Sequence, residues 1–352
     1  TFQASAFDHS ATAPHALEVG ALAASRGFRK ACGYGMSARM KMALLLPLLA
    51  LASLASAQTP PPAKAPGEIV AEAPARDWVD MADEDLLIMT LAPDARGKAR
   101  RVVIQLMPAP FSQGWVRNIR TLAKARWYDG IAIVRVQDNY VTQWGDPDSE
   151  DKAKAKKLPA GLVPTSEEDY AHRASLPVDA RLGRLLWPAN DVSRFAGFTG
   201  GFPFAGSGTP DSVTNWPVHC YGAVGVGRGM SPDAGTGAEL YTVIGHAPRH
   251  LDRNIAVVGR VIEGMEHLSS LPRATGPLGF YETAGERTPI VSVRLASDLP
   301  AGERPHFQYL ATDSDSFLRY ADTRANRRDP FFIVPAGGAD ICNMPVPVRR
   351  KP

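Results

Sequence analysis

The sequence is poor in cysteine and nearly balanced in charge, and each shortage excludes a class of protein. Its 352 residues contain three cysteines, too few for a small domain held together by disulfides. The formal net charge of +3 is too small to indicate a nucleic-acid partner. Hydrophobic residues make up 45% of the chain and charged residues 21%, so it can bury one large core or two smaller ones.

Motifs of several enzyme classes are also missing. No G-x-S-x-G elbow occurs, and the glycine-rich stretch 222–229 fits neither nucleotide-binding pattern, G-x-G-x-x-G or G-x-x-x-x-G-K-[ST]. His246 and His250 have the spacing of a helical zinc site, but Pro248 separates them and no Glu follows His246. We therefore expect no metal and no cofactor, and we expect the glycines to permit close packing of strands.

The N-terminal part of the sequence carries the features of an export signal. Arg39 and Lys41 precede the apolar run 43–54, and Ala55–Ala57 fits the small-x-small rule for cleavage before Gln58. The run is too short to span a membrane as a helix, which takes about 20 apolar residues. The alternative is a buried helix of the fold.

From this pattern we predict a signal peptide at residues 36–57 and a non-native upstream segment at 1–35. The true start would then be Met36, Met40 or Met42. The mature protein is expected to be exported, to the bacterial periplasm, without stable insertion in the membrane. In that oxidising compartment, Cys220 and Cys342 either form a disulfide or remain two buried thiols.

Composition divides the remaining chain. Residues 58–77 are rich in Pro and Ala, which predicts a flexible linker before a folded domain at 78–298. A long insertion is predicted at 147–218, where a charged run favours a solvated loop or helix face, and a C-terminal extension at 299–352.

Short β-rich runs dominate the domain itself. Eight strands are predicted, at 86–91, 101–106, 131–136, 140–143, 222–229, 240–244, 255–262 and 289–295, and two helices, at 111–127 and 263–271. Many short strands with two helices favour a closed β-barrel over alternating βαβ units.

The most informative stretch is residues 128–146. It places Arg135 in an apolar, β-rich run, followed by Tyr140 and Gln143. An Arg, an aromatic ring and an amide on one surface can bind a peptide and act on its backbone, but none is a good nucleophile at neutral pH. The stretch therefore points away from hydrolysis.

Several segments, in order and at near-family spacing, resemble the cyclophilin-type peptidyl-prolyl cis-trans isomerases. They are Asn118-Ile119-Arg120-x-Leu122, Tyr128-x-Gly130 with Arg135, Tyr140, Gln143, Gly145 and Asp146, then Gly222–Arg228, Pro232-Asp233 with Ala238–Tyr241, His250–Asp252, and Val258–Met265. The resemblance spans about residues 86–295. It is closest to exported, periplasmic bacterial members with a long insertion and a C-terminal tail.

The resemblance implies a mostly β fold: a closed, eight-stranded antiparallel cyclophilin-like barrel capped by two helices. It implies an isomerase that rotates X-Pro bonds and assists the folding of exported proteins. Its partners would be proline-containing polypeptides and not nucleic acid, and the protein would be a monomer. The alternative is a catalytically weak peptide-binding or chaperone module.

The resemblance also implies roles for individual residues. Arg135 would stabilise the twisted amide, and Gln143 would hold the substrate carbonyl or orient Arg135. The residues expected to bind the substrate around the proline ring are Tyr140, Val141, Tyr241, Leu251 and Ile255. The sequence departs from the family at Val134 and Trp144, and Ala238–Tyr241 replaces Ser-Gln-Phe-Phe.

Overall fold

A computed structural model describes residues 62–174, 179–186, 193–209 and 212–352 of the chain, and these belong to one compact unit. The predicted upstream segment and signal peptide lie outside the described residues. Within the described ranges, no helix is both long and apolar enough to cross a membrane.

The described strands and helices follow one another along the chain as follows. The strands are β1 (Trp78–Asp80), β2 (Leu86–Leu91), β3 (Arg100–Leu106), β4 (Ala132–Val136), β5 (Val141–Gly145), β6 (Phe195–Thr199), β7 (Phe202–Thr209), β8 (Ser212–Pro217), β9 (Ala223–Val226), β10 (Leu240–Val243), β11 (Val257–Glu263), β12 (Thr288–Leu295), β13 (Phe307–Leu310) and β14 (Val348–Arg350). The helices are α1 (Pro66–Ala71), α2 (Gln113–Lys124), α3 (Ala180–Leu185), α4 (Glu266–Ser269) and α5 (Asp315–Ala325).

Eight of these strands close into an antiparallel barrel, which confirms the predicted fold class. Their order around the barrel is β10-β5-β4-β12-β2-β3-β11-β9, and β9 pairs again with β10. The runs LLIMTL of β2 and RRVVIQL of β3 suit this role because aliphatic and β-branched residues pack well on a pleated, buried surface. Helix α2 buries Trp115, Ile119 and Leu122 at helical spacing in the barrel core.

The insertion and the C-terminal extension share a second hydrophobic core. The insertion forms the sheet β6-β7-β8, and the extension forms a sheet with β1 in the order β1-β13-β14. Phe198 of β6 meets Phe317 of α5 edge-on, with ring centroids 5.1 Å apart. Trp216 and Leu310 are buried in the same cluster. The two segments are therefore built into the fold as one body, and the run predicted as a solvated element covers only the start of the insertion.

The flexible linker predicted at 58–77 does not hold for residues 66–77. Residues 66–71 form helix α1, which packs against α5, and Ile69 and Val70 contact the second core. Ala73 is buried there as well. The composition of this stretch is rich in Pro and Ala, but its two aliphatic residues find an apolar surface in the distant extension, which orders the segment.

A disulfide joins the C-terminal extension to the segment between the insertion and strand β9. Cys220 and Cys342 form a disulfide between residues 122 positions apart in sequence, with their Cα atoms 5.0 Å apart. Cys220 comes shortly before β9 of the barrel, and Cys342 lies in the extension. The bond therefore restrains the extension relative to the barrel.

Candidate active site

Three neighbouring strands place the candidate residues in one row. The register pairs Arg135 of β4 with Gln143 of β5, and Gln143 with Tyr241 of β10. The adjacent residues Trp144 and Leu240 line a small cavity inside the barrel. Because successive side chains of a strand point to opposite faces, Gln143 and Tyr241 lie on the outer face.

A β-bulge in β4 turns Arg135 towards the same outer face. Ile133 pairs with Trp144 and Arg135 pairs with Gln143, so Val134 is an extra residue on β4. In a regular strand, Ile133 and Arg135 would point to the same side of the sheet. The extra residue reverses this alternation, and such bulges commonly re-aim side chains beside active sites.

The Arg135 guanidinium is held by three hydrogen bonds. Its Nε donates to the carbonyl oxygen of Leu278 at 2.7 Å, and its Nη1 donates to Gln143 Oε1 at 3.0 Å. Its Nη2 donates to Gln137 Oε1. Leu278 has a left-handed φ of 56°, which is uncommon for a leucine. The fork geometry of Arg is therefore fixed by partners from three places in the chain.

Two aromatic rings flank the same guanidinium. The Cζ atom of Arg135 lies 5.5 Å from the ring centroid of Tyr140 and 5.2 Å from that of Phe280. Tyr140 in turn stacks on His250, with centroids 6.3 Å apart. Burial lowers the pKa of Arg135, and Tyr140 opposes that shift. An Arg side chain nevertheless stays charged in proteins, so the site presents a fixed cation between two apolar faces.

An acidic residue completes the polar cluster. Gln143 Nε2 donates to Glu239 Oε1, so Gln143 joins the carboxylate to Arg135. Burial raises the pKa of the Glu239 carboxyl, and the hydrogen bond from Gln143 partly offsets this.

The Tyr241 end of the row is closed and buried. Tyr241 is 4% exposed, and its hydroxyl lies 2.9 Å from Nε2 of the fully buried His219. His219 Nδ1 lies 2.9 Å from Asp252 Oδ1, and Arg249 Nε donates to Asp252 Oδ2 at 2.6 Å. Gly225 lies opposite Tyr241, where a Cβ atom would come 2.3 Å from the ring. The absence of a side chain at this position makes room for the tyrosine.

A family model matches residues 98–296, which is more than half of the chain, and its description is "Cyclophilin type peptidyl-prolyl cis-trans isomerase/CLD". The chain belongs to this family of isomerases. The fold is also similar to the crystal structure of cyclophilin AquaCyp293 from Hirschia baltica, with a TM-score of 0.54 and 22% sequence identity over 78% of this chain and 93% of that chain. A Cryptosporidium parvum cyclophilin-type isomerase gives a TM-score of 0.33 at 11% identity, over 60% of this chain and 96% of that one. No curated protein matches the sequence.

Within this cyclophilin, the predicted site residues fall into three groups. Arg135, Tyr140 and Gln143 lie together on the outer face, in mutual contact through Arg135. Val141 and Tyr241, predicted to bind the substrate, are instead only 2% and 4% exposed, and the Tyr241 ring stacks on His219.

The remaining two predicted residues lie on a nearby turn of the cyclophilin barrel. Leu251 ends the short turn Arg249–Leu251, and the Ile255 backbone N–H donates to the Leu251 carbonyl at 3.2 Å. Both side chains are half-buried and pack against the barrel core. His250, between them and Tyr140, links this turn to the outer face.

Sequence reasoning missed four residues that contact the cluster. Glu239 carried a signal, because it stands in the segment that replaces the family's Ser-Gln-Phe-Phe. Gln137 is two residues from Arg135, but its direction depends on the bulge. Leu278 and Phe280 are more than 140 positions from Arg135 in the sequence, and no motif connects them with it.

Proposed function

We propose that Arg135 is the catalytic residue of this isomerase. Rotation about an X-Pro bond faces a barrier near 20 kcal/mol, which comes from amide resonance. The twisted transition state has a pyramidal nitrogen with a free lone pair, which a guanidinium N–H can stabilise more strongly than either planar form. The observation that carries the proposal is the pre-oriented Arg135, held between Tyr140 and Phe280 on the outer face.

Gln143 is proposed to orient Arg135. Its Oε1 atom already accepts a hydrogen bond from Arg135 Nη1, which supports orientation of the guanidinium over direct binding of the substrate carbonyl. Two of the five N–H groups of Arg135 are left after its three hydrogen bonds, and these would be offered to the substrate. Tyr140 and Phe280 would supply apolar faces for the proline ring.

The test is isomerisation of an X-Pro peptide by Arg135 variants. Arg135→Ala is expected to lower kcat/KM about 100-fold, the loss typical of removing one transition-state donor. Arg135→Lys should restore only part of it, since Lys keeps the charge without the fork. Arg76→Ala is the control, because that side chain is 85% exposed and lies outside the site. Full activity in Arg135→Ala would refute the assignment.

A binding module is the second candidate function. It is favoured by one observation: Leu278, Gln137 and Gln143 already occupy three donors of Arg135. A module of this kind would bind proline-containing peptides without accelerating their isomerisation. Titration of the same X-Pro peptide into wild-type protein, combined with the rate assay, separates the two functions.

We also propose that the isomerase acts on exported proteins as they fold. This proposal is supported by the export-signal pattern of residues 36–57 and by the disulfide between Cys220 and Cys342. Mass mapping of the protein from fractionated bacterial cells, without reduction, is expected to find an N-terminus at Gln58 and the disulfide-linked peptide in the periplasmic fraction. Free thiols in a cytoplasmic fraction would contradict the proposal.

A further inference from the structure

Glu239, Gln143 and Arg135 form a directed chain of hydrogen bonds. Gln143 donates through Nε2 to the Glu239 carboxylate and accepts through Oε1 from Arg135 Nη1, at 3.0 Å. Arg135 can only donate, and an ionised carboxylate can only accept. With both partners in these states, the amide of Gln143 has a single satisfied orientation.

Two glycines make room for the Glu239 side chain at this position. Gly145 and Gly227 lie on either side of it, and a Cβ atom at Gly227 would come 2.7 Å from its Cγ. A Cβ atom at Gly145 would come 3.1 Å from the same Cγ atom. The two glycines therefore leave the space that the glutamate side chain fills where its carboxylate meets Gln143.

We propose that Glu239 is a positioning residue whose ionised carboxylate locks the Gln143 amide and thereby holds Arg135 in its catalytic orientation. The inference deepens the proposed function and rests on the catalytic role of Arg135. A protonated Glu239 can donate as well as accept, so the Gln143 amide could then rotate and turn its NH2 group towards the guanidinium. Two donors would face each other, and the orientation of Arg135 would be lost.

The orientation that Glu239 gives to Gln143 should be lost at low pH, because only the ionised carboxylate is restricted to accepting hydrogen bonds. Burial is the largest cause of the rise in the pKa of Glu239 above 4.5. Of the charged groups nearby, Glu150 raises this pKa further and Arg135 lowers it. The carboxylate is present above this raised pKa. The value of kcat/KM should therefore reach a plateau above the pKa of Glu239 and should fall as the pH decreases through that pKa.

Three variants test this positioning role of Glu239 in different ways. Glu239→Gln removes the charge but keeps the shape, and it should lower the plateau value of kcat/KM about fivefold, the factor that matches a hydrogen bond of about 1 kcal/mol. It should also abolish the fall in kcat/KM at acid pH. Gly227→Ala keeps the charge but displaces the side chain, and a similar loss is expected. Glu150→Gln, at an exposed position, should move the fall in kcat/KM to lower pH and leave the plateau value unchanged.

A structural readout makes the test independent of turnover. The side-chain amide resonances of Gln143 should titrate together with the fall in kcat/KM in the wild type and stay constant in Glu239→Gln, while circular dichroism at each pH shows that both remain folded. Either of two results would overturn the proposed role of Glu239: a wild-type kcat/KM that does not change with pH, or a fall in kcat/KM at acid pH that is the same in Glu239→Gln as in the wild type. If that happens while Arg135→Ala still abolishes activity, only this inference fails; an unaffected Arg135→Ala variant refutes the proposed function instead.

Discussion

The row across β4, β5 and β10 has two ends that differ in almost every physical respect. At one end Tyr241 and His219 are buried and contact each other, and His219 also contacts Asp252. At the other end Arg135 is only partly covered, and it is bonded to side-chain amides and a backbone carbonyl. A carboxylate in a buried network is costly to disturb, whereas the amide and carbonyl partners of Arg135 leave two of its N–H groups for a substrate. We therefore expect the first end to stabilise the fold, and we propose that the second end acts on the substrate.

The buried end should show the largest effect on stability. Asp252→Ala would leave Arg249, whose Nη1 and Nη2 atoms are buried without partners, as an uncompensated charge. We expect a loss of about 3–5 kcal/mol in the free energy of unfolding, measured with urea. Asp138→Ala is the control, because its ion pair with Arg273 is exposed and should contribute little. Equal losses in both variants would contradict the assignment of stability to the buried end.

The disulfide should have the next largest effect. It closes a separation of 122 residues and anchors Cys220, the residue after His219. The Cys220→Ala, Cys342→Ala double variant should lose about 2–4 kcal/mol of unfolding free energy, because its unfolded chain is less restrained. Reducing agent should lower the stability of the wild type and leave the double variant unchanged. A wild type that is insensitive to reduction would show that the bond contributes nothing.

The smallest effect is expected from the Tyr241 hydroxyl. A carboxylate only accepts, so His219 Nδ1 donates to Asp252 and its Nε2 accepts from the Tyr241 hydroxyl, which burial keeps protonated by raising its pKa. Tyr241→Phe should cost about 1 kcal/mol of stability by leaving Nε2 without a donor. Thermal unfolding and the peptide assay should both be run, since a loss of activity comparable to that of Arg135→Ala would erase the distinction between the two ends.

The strands of the barrel could be predicted because the pattern that marks each strand lies within its own segment. Its strands carry continuous β-branched and aliphatic runs, as in LLIMTL and IAVVGRVI, which stand out from the flanking turns. The strands of the insertion do not. FAGFT and FPFAGSGT are rich in small residues and aromatic rings, and they form a sheet over a core completed by Phe317 and Leu310, more than 90 positions away. Such a distant partner leaves no trace in local periodicity.

The residues of the site could be predicted from the sequence, but their arrangement in space could be predicted only in part. Arg135, Tyr140 and Gln143 could be named from the stretch 128–146 and its resemblance to the family. Their shared face could not, since it depends on the extra residue Val134 in the bulge. The burial of Tyr241 depends on His219 and Gly225, which come from a different part of the chain. Register and burial are properties of the assembled barrel, and one segment does not contain them.

The most direct test of the catalytic role proposed for Arg135 is the rate of X-Pro isomerisation by Arg135→Ala, measured on protein whose unfolding midpoint equals that of the wild type. We expect kcat/KM to fall about 100-fold, because Arg135 at the partly covered end of the row is proposed to supply the transition-state donor while the buried end maintains the fold. An unchanged kcat/KM would contradict it, and a fall that merely tracks a lower unfolding midpoint would assign Arg135 to stability instead.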